Sequence, residues 1–239
     1  MSKVDLLVLA AHPDDAELGC GGTLAKHVAM GWKVGVADFT RGELGTRGSV
    51  PERDREAAAA AKILGLTERI NLDLRDGFFQ NTEADQRKVI EAIRYFQPDV
   101  VLANAITDRH PDHGKGAQLA YDSCFLAGLE KIKTTWKGVE QKAWRPKAVY
   151  HFIQSQNVKP DFVVDISDYW ETKMKAIRAF STQFFQPDSR EPVTYISTPE
   201  FLTMLESRAV DFGHAIGVRY GEGFTVRRTP GVNSLRDIF

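Results

Sequence analysis

Apolar residues fill the stretch from Val4 to Ala11 almost without interruption, and the run stops abruptly at His12, Pro13, Asp14 and Asp15. A strand that is continuously apolar, rather than alternating, belongs in a parallel sheet covered on both faces. The next segment, Ala16 to Met30, carries Leu18, Leu24 and Val28 along one side of a helix that Gly31 stops. Lys33 to Phe39 reads as a second strand. A loop from Thr40 to Val50, with Gly42, Gly45 and Gly48, leads to a helix that Pro51 opens and Gly65 ends. Arg69 to Leu72 is a short strand, Glu83 to Phe96 a helix closed by Pro98, and Asp99 to Ala103 a fourth strand. Strand and helix alternate without a break, which predicts an α/β fold: a Rossmann-like, doubly wound, mostly parallel sheet with helices on both faces.

The second half is less regular. It predicts a helix from Gly116 to Lys131, strands at Ala148 to Ile153 and Phe162 to Ile166, and a helix capped by Ser167 or Asp168 running through Ser181. Thr198, Pro199 and Glu200 start a last helix ending near Phe212, and Phe184 to Pro192 reads as a loop. With no internal repeat and no long linker, residues 1–239 read as one domain.

Composition narrows the function. A chain of 239 residues with 43% hydrophobic content buries a substantial core. Its formal charge of −1 gives no field that would gather nucleic acid or an anionic membrane, so the expected partner is a small molecule. There is no apolar stretch of roughly 18 residues. Lys3 followed by Asp5 is no export signal, so the expected location is the cytoplasm. Cys20 and Cys124 are too few for a disulfide framework and read as packed thiols.

The chemistry lies where two strands end. His12, Pro13, Asp14 and Asp15 follow the first, and Asp108, Arg109, His110, Pro111, Asp112 and His113 follow the fourth. In an open α/β sheet, ligands bind beyond the carboxyl ends of the strands, so both clusters can meet at one site. Taken alone, the first could be a helix-capping turn and the second a polar loop bent by proline. Together they satisfy a catalytic metal, which needs about three protein ligands and an open position. His12, Asp15 and His113 supply the ligands, the last approaching from a loop. Asp14 is left as the general base that takes a proton from water. His110 can stabilise an oxyanion or protonate a leaving amine, with Asp112 holding its tautomer. The glycines of Leu18-Gly19-Cys20-Gly21-Gly22 lack a dinucleotide-binding spacing and suit close packing of helix on sheet.

The segments Ala11-His12-Pro13-Asp14-Asp15-Ala16-Glu17 and His110-Pro111-Asp112-His113 resemble the paired signature of the LmbE-like (PIG-L) N-acetylglucosaminyl deacetylases. Thr40 to Gly48 and Gly221-Glu222-Gly223-Phe224 resemble the branch of that family that serves bacillithiol biosynthesis. The resemblance implies zinc on His12, Asp15 and His113, Asp14 as base, His110 as electrostatic histidine, and a homo-oligomer, a hexamer in the bacillithiol branch. One zinc ion per chain is expected, although ferrous, cobalt or manganese ions suit the same ligands. The implied substrate is N-acetylglucosaminyl-malate, which loses acetate to give glucosaminyl-malate.

Malate carries two carboxylates, which guanidinium groups grip with paired hydrogen bonds. Arg53, which also matches a substrate-binding arginine of the family, and Arg109 are the candidates. Surface salt bridges to Glu52 or Asp108 would be their alternative role. Tyr195 is a further candidate oxyanion donor. The segment from Lys133 to Trp144, with two tryptophans, suits a subunit interface. Two other readings remain: a deacetylase or amidase of another N-acyl amino sugar, and a non-catalytic Rossmann-like module that binds metal or nucleotide.

Overall fold

The computed structural model describes residues 2–234 and 236. Its elements run β1 (Leu6–Ala10), α1 (Asp15–Ala29), β2 (Val34–Asp38), α2 (Val50–Leu64), β3 (Glu68–Asn71), α3 (Glu83–Phe96), β4 (Val100–Ala103) and α4 (Pro111–Leu126). A ribbon of β5 (Thr135–Trp136) and β6 (Val139–Glu140) follows, then β7 (Ala148–Phe152), β8 (Phe162–Asp165), α5 (Trp170–Arg178), α6 (Pro199–Ala215) and β9 (Gly221–Val226). The main sheet has the order β3-β2-β1-β4-β7-β9-β8. β1 is parallel to both β2 and β4, and β4 to β7, so the doubly wound, mostly parallel sheet is as the pattern predicts.

The uninterrupted apolar run of β1 is used on both faces. Leu6, Val8 and Ala10 pack beneath α1, α2 and α5, with Cys20, Ala60 and Ile177 among their neighbours in one core. Leu7, Leu9 and Ala11 face α3 and α4 and join Ile90, Ile93, Phe96, Leu119 and Cys124 in the other. Both cysteines are buried and free.

Three differences from the sequence reading have physical causes. β9 inserts antiparallel between β7 and β8, and its Gly221-Glu222-Gly223 start gives no apolar run to signal a strand. α4 starts at Pro111, five residues ahead of Gly116, because His110 caps it by accepting the Asp112 N–H and proline suits its first position. His113 therefore stands in the first turn of a helix and not on a loop. The predicted helix over 168–181 is shorter, a single 3₁₀ turn at Ser167–Tyr169 preceding α5. Within segment 133–144, Trp136 stacks on Tyr95 of α3, and Trp144 donates to the Pro98 carbonyl.

Helix α1 is broken at Cys20, whose φ of −145° is not helical. Gly19 and Gly22 sit against the sheet and its connections: a Cβ on Gly22 would lie 2.7 Å from Ile166 Cδ1, and one on Gly19 would overlap Phe152. The break frees backbone groups that a buried ion pair takes up. Glu222 of β9 accepts from Gly22 N (3.0 Å) and Thr23 N (2.7 Å). Lys173 of α5 donates to Leu18 O (2.9 Å) and Glu222 (2.5 Å). Among the described residues, no helix is long and apolar enough to cross a membrane.

Candidate active site at the switch of the sheet

β1 has β2 on one side and β4 on the other, so the chain reverses its direction of winding beside β1, where ligands collect in such sheets. The segments that follow β1 and β4 deliver the two His-Asp clusters to this point. The sharp exit from β1 puts Asp14 at φ 121°, a backbone region that costs a non-glycine residue on the order of 1–3 kcal/mol. Asp14 makes no capping hydrogen bond to α1, so the helix-capping role open to it is not used. Its carboxylate is instead buried beside Arg53, 3.4 Å from Nη2. Burial pushes Asp14 up to about 7; the positive charge of Arg53 opposes the rise and the neighbouring Asp15 adds to it.

Two imidazoles converge on Asp15. His113 Nε2 is 3.1 Å from Asp15 Oδ1, and His12 Nδ1 is 3.4 Å from Oδ2. The far nitrogen of each ring is held by carboxylates: His113 Nδ1 by Asp108 (2.5 Å), His12 Nε2 by Asp76 (3.0 Å) and Asp112 (3.4 Å). Burial disfavours charge on both rings, but these carboxylates outweigh it, raising His113 to about 9 and His12 well above its ordinary value. Burial likewise disfavours a charged Asp15, and the two histidines reverse the effect and hold it well below the usual carboxylate range.

Asp15 is also fixed from behind. Gln154 Nε2 donates to Oδ1 (2.8 Å) and Asn104 Nδ2 to Oδ2 (2.9 Å). Asn104 in turn accepts from Ala11 N (2.8 Å), which locks it to the end of β1. His110 completes the cluster, its ring centroid 4.7 Å from that of His12 and 5.0 Å from that of His113. Burial and the two charged neighbours lower its pKa, so it is neutral. Its Nδ1 accepts from Asp112 N, which leaves the hydrogen on Nε2.

The ring nitrogens of His12, His110 and His113 lie close enough to share a small cation, as do ligand atoms of His12, Asp76 and Asp112. Imidazoles oriented by outer carboxylates are the usual setting of metal-binding histidines, so the donor set fits a divalent ion.

A cavity of about 250 Å³ opens over this cluster, lined by His12, Asp14, His110 and His113 on its floor and by Leu44, Gly45 and Arg109 among others. Arg53 lines it too, with its guanidinium donating to the Pro13 carbonyl and not to Glu52, whose carboxylate is taken by Ser49. Arg109 is not paired with Asp108. Its guanidinium lies 4.2 Å from the ring centre of Tyr195, which brings that tyrosine to the rim.

One role needs correction. Asp112 fixes the His110 tautomer through its backbone N–H and not through its carboxylate, which accepts from Gly77 N (2.8 Å) and Lys115 (3.2 Å) and faces His12 Nε2. The missed residues are Asp76, Asn104 and Gln154; Asp108, expected only within its cluster and as a partner for Arg109, holds His113 Nδ1 instead. Asn104 and Gln154 are polar residues just past the ends of β4 and β7, a position that can be read from sequence. Asp76, in the connection after β3, carries no such signal; it joins His12 to the glycine-rich loop by accepting from Leu44 N (2.9 Å).

The sheet and cleft define a Rossmann-like α/β protein with a histidine–aspartate centre at the switch point. The profile of the PIG-L family, described as GlcNAc-PI de-N-acetylase, matches residues 7–124. The crystal structure of the conserved protein TT1542 from Thermus thermophilus superposes with a TM-score of 0.85 at 35% identity, covering 96% of this chain and 98% of that one. The diacetylchitobiose deacetylase of Thermococcus kodakarensis is 29% identical over 95% of this chain and 84% of its own. A Bacillus subtilis protein named probable N-acetyl-alpha-D-glucosaminyl L-malate deacetylase 2 is 27% identical over 76% of this chain and 84% of its own. The 4-oxalmesaconate hydratase of Pseudomonas putida is 28% identical over 74% and 73%. The chain belongs to the PIG-L de-N-acetylase family.

Proposed function

We propose that this protein is a metal-dependent deacetylase that hydrolyses the acetamide of an N-acetylglucosamine conjugate bearing a carboxylated aglycone, of which N-acetylglucosaminyl-malate is the first candidate. The observation that carries the reading is a buried carboxylate, Asp14, paired with Arg53 beside two imidazoles that both turn one nitrogen to Asp15. His12, Asp15 and His113 would hold the ion, zinc by donor type; Asp76 and Asp112, which both face His12 Nε2, serve to orient that ring. A bound divalent ion would acidify water and polarise the acetamide oxygen.

The chain's own groups supply the rest. Asp14, basic enough near neutrality, takes the proton of the attacking water and can return it to the leaving amine. Arg53 keeps that carboxylate in place. His110 presents its Nε2 hydrogen to the oxygen that gains charge as the carbonyl carbon becomes tetrahedral. Arg109 provides a cationic wall for the aglycone.

The test is amine release from N-acetylglucosaminyl-malate, diacetylchitobiose and N-acetylglucosamine by zinc-loaded wild type and D14A, with metal content checked in both. The reading requires turnover in wild type and a roughly 10²–10⁴-fold loss in a variant that keeps its metal. A hydratase acting on an unsaturated polycarboxylate is a second reading, favoured by the guanidinium groups of the cavity and the Pseudomonas relative. Absence of amine release together with hydration of such an acid would establish it instead.

A further inference from the structure

The buried arginines of this protein are almost all engaged. Arg94 donates to three carbonyls and a threonine hydroxyl, Arg69 bridges Asp38 and Glu17, and Arg47 ties Thr182, Ser189 and Pro192 together. Arg208, on α6, is different. It is partly buried and lines the cavity above His12 and Asp14, yet among the described residues its guanidinium has no hydrogen bond and no ion pair. Asp108 is spent on His113, Ser155 N and Gln156 N, and Glu222 on Lys173 and α1, so the acids that Arg208 senses are not available to it. Removal from water makes its charge harder to hold, an effect a bound anion would reverse.

The second guanidinium of the cavity with no hydrogen bond or ion pair among the described residues is that of Arg109, laid against Tyr195. Arg53, by contrast, is committed to Asp14 and the Pro13 carbonyl.

We propose that Arg208 is a specificity-determining residue that, with Arg109, receives a carboxylate of the substrate's aglycone and so selects anionic conjugates over neutral ones. Nothing in the sequence marks it, because it stands in the middle of a helix 95 positions beyond His113. The proposal rests on the deacetylase reading for its substrate, and its test separates the two.

R208Q and R208K are compared with wild type on N-acetylglucosaminyl-malate and on neutral methyl N-acetylglucosaminide. R208Q should raise KM for the malate conjugate roughly 10- to 100-fold, as expected for loss of a charged hydrogen bond, with kcat little changed. KM for the neutral glycoside should stay within about twofold, and R208K should recover part of the loss. Thermal unfolding of R208Q should occur no lower than that of wild type, because an unpaired charge has been removed from a partly dry site. An equal loss on both substrates, no loss on the anionic one, or a clear drop in Tm would overturn the proposal. If wild type turns over neither substrate, the deacetylase reading fails, and calorimetric titration with glucosaminyl-malate and methyl glucosaminide still decides Arg208. A wild-type preference for the anionic ligand that R208Q lacks supports it; equal preference in both proteins, or none in wild type, refutes it.

Discussion

Replacing Lys173 with Met tests whether charge holds the break in α1. Lys173 and Glu222 are each only 3% exposed in their side chains, and their contact is 2.5 Å. The ammonium also caps the freed Leu18 carbonyl, while the carboxylate caps Gly22 and Thr23. In Lys173→Met the carboxylate stays buried with two amide donors but no countercharge. Stranding one half of a buried pair costs about 3–5 kcal/mol. The whole fold of an ordinary domain is stable by only about 5–15 kcal/mol, so this is a large fraction. In K173M/E222Q no buried charge remains, and Gln still offers one acceptor to the amides, so the double variant should lose less than the two single variants together by roughly 2 kcal/mol or more. Urea unfolding at pH 7.5 in metal-free buffer, followed by tryptophan fluorescence with a shared m-value, gives the cycle. A loss below about 1 kcal/mol in K173M, or strict additivity, would refute the reasoning, because it would mean that water or protonation meets the charge instead.

Two further outcomes follow from the site and its surroundings. Asp108→Asn weakens the grip on His113 Nδ1 and should lower zinc affinity about 10- to 100-fold, measured by competition with a chromophoric chelator; an unchanged affinity would remove Asp108 from that role. His151 is fully buried, with Nδ1 on the Asn104 carbonyl and Nε2 without a partner among the described residues, and burial lowers its pKa from 6.5 to about 4. Its neutral form therefore adds stability above pH 6.5 that is lost as the pH falls towards 4, up to roughly 3 kcal/mol. His151→Asn should flatten that part of the profile in urea midpoints between pH 7.5 and 4.5, and parallel profiles would contradict the assignment.

The sequence and the structure agree best where local signals are strong. β1 is legible because a strand buried on both faces cannot tolerate polar residues, and α3 is found to the residue because Thr82 caps it through Asp85 N and Pro98 follows its end. β9 is not legible, since Gly221 and Gly223 are there to let α6 approach and Glu222 to cap a helix some 200 positions earlier. The start of α4 is missed because the cap is a histidine, and this misplaces His113 from helix to loop. Asp112 shows the limit at the site itself: its neighbour in sequence is His110, but the turn of α4 carries its carboxylate to His12.

The sequence by itself determined the alternation of buried strands and covering helices, and with it a cleft beyond β1 and β4 where His12, Asp14, Asp15, His110 and His113 meet. Those features are local, since apolar period, caps and prolines act within a few residues. Only the tertiary structure decided which carboxylate orients which imidazole, that Asn104 and Gln154 fix Asp15, that Arg53 belongs to Asp14, and that Arg208 faces the cavity without a partner. Most of these pairings join residues far apart in sequence, as Asn104 with Asp15 (89 positions) and Gln154 with Asp15 (139 positions). They depend on where packed helices bring side chains in space, and hydrophobic periodicity carries no information about that.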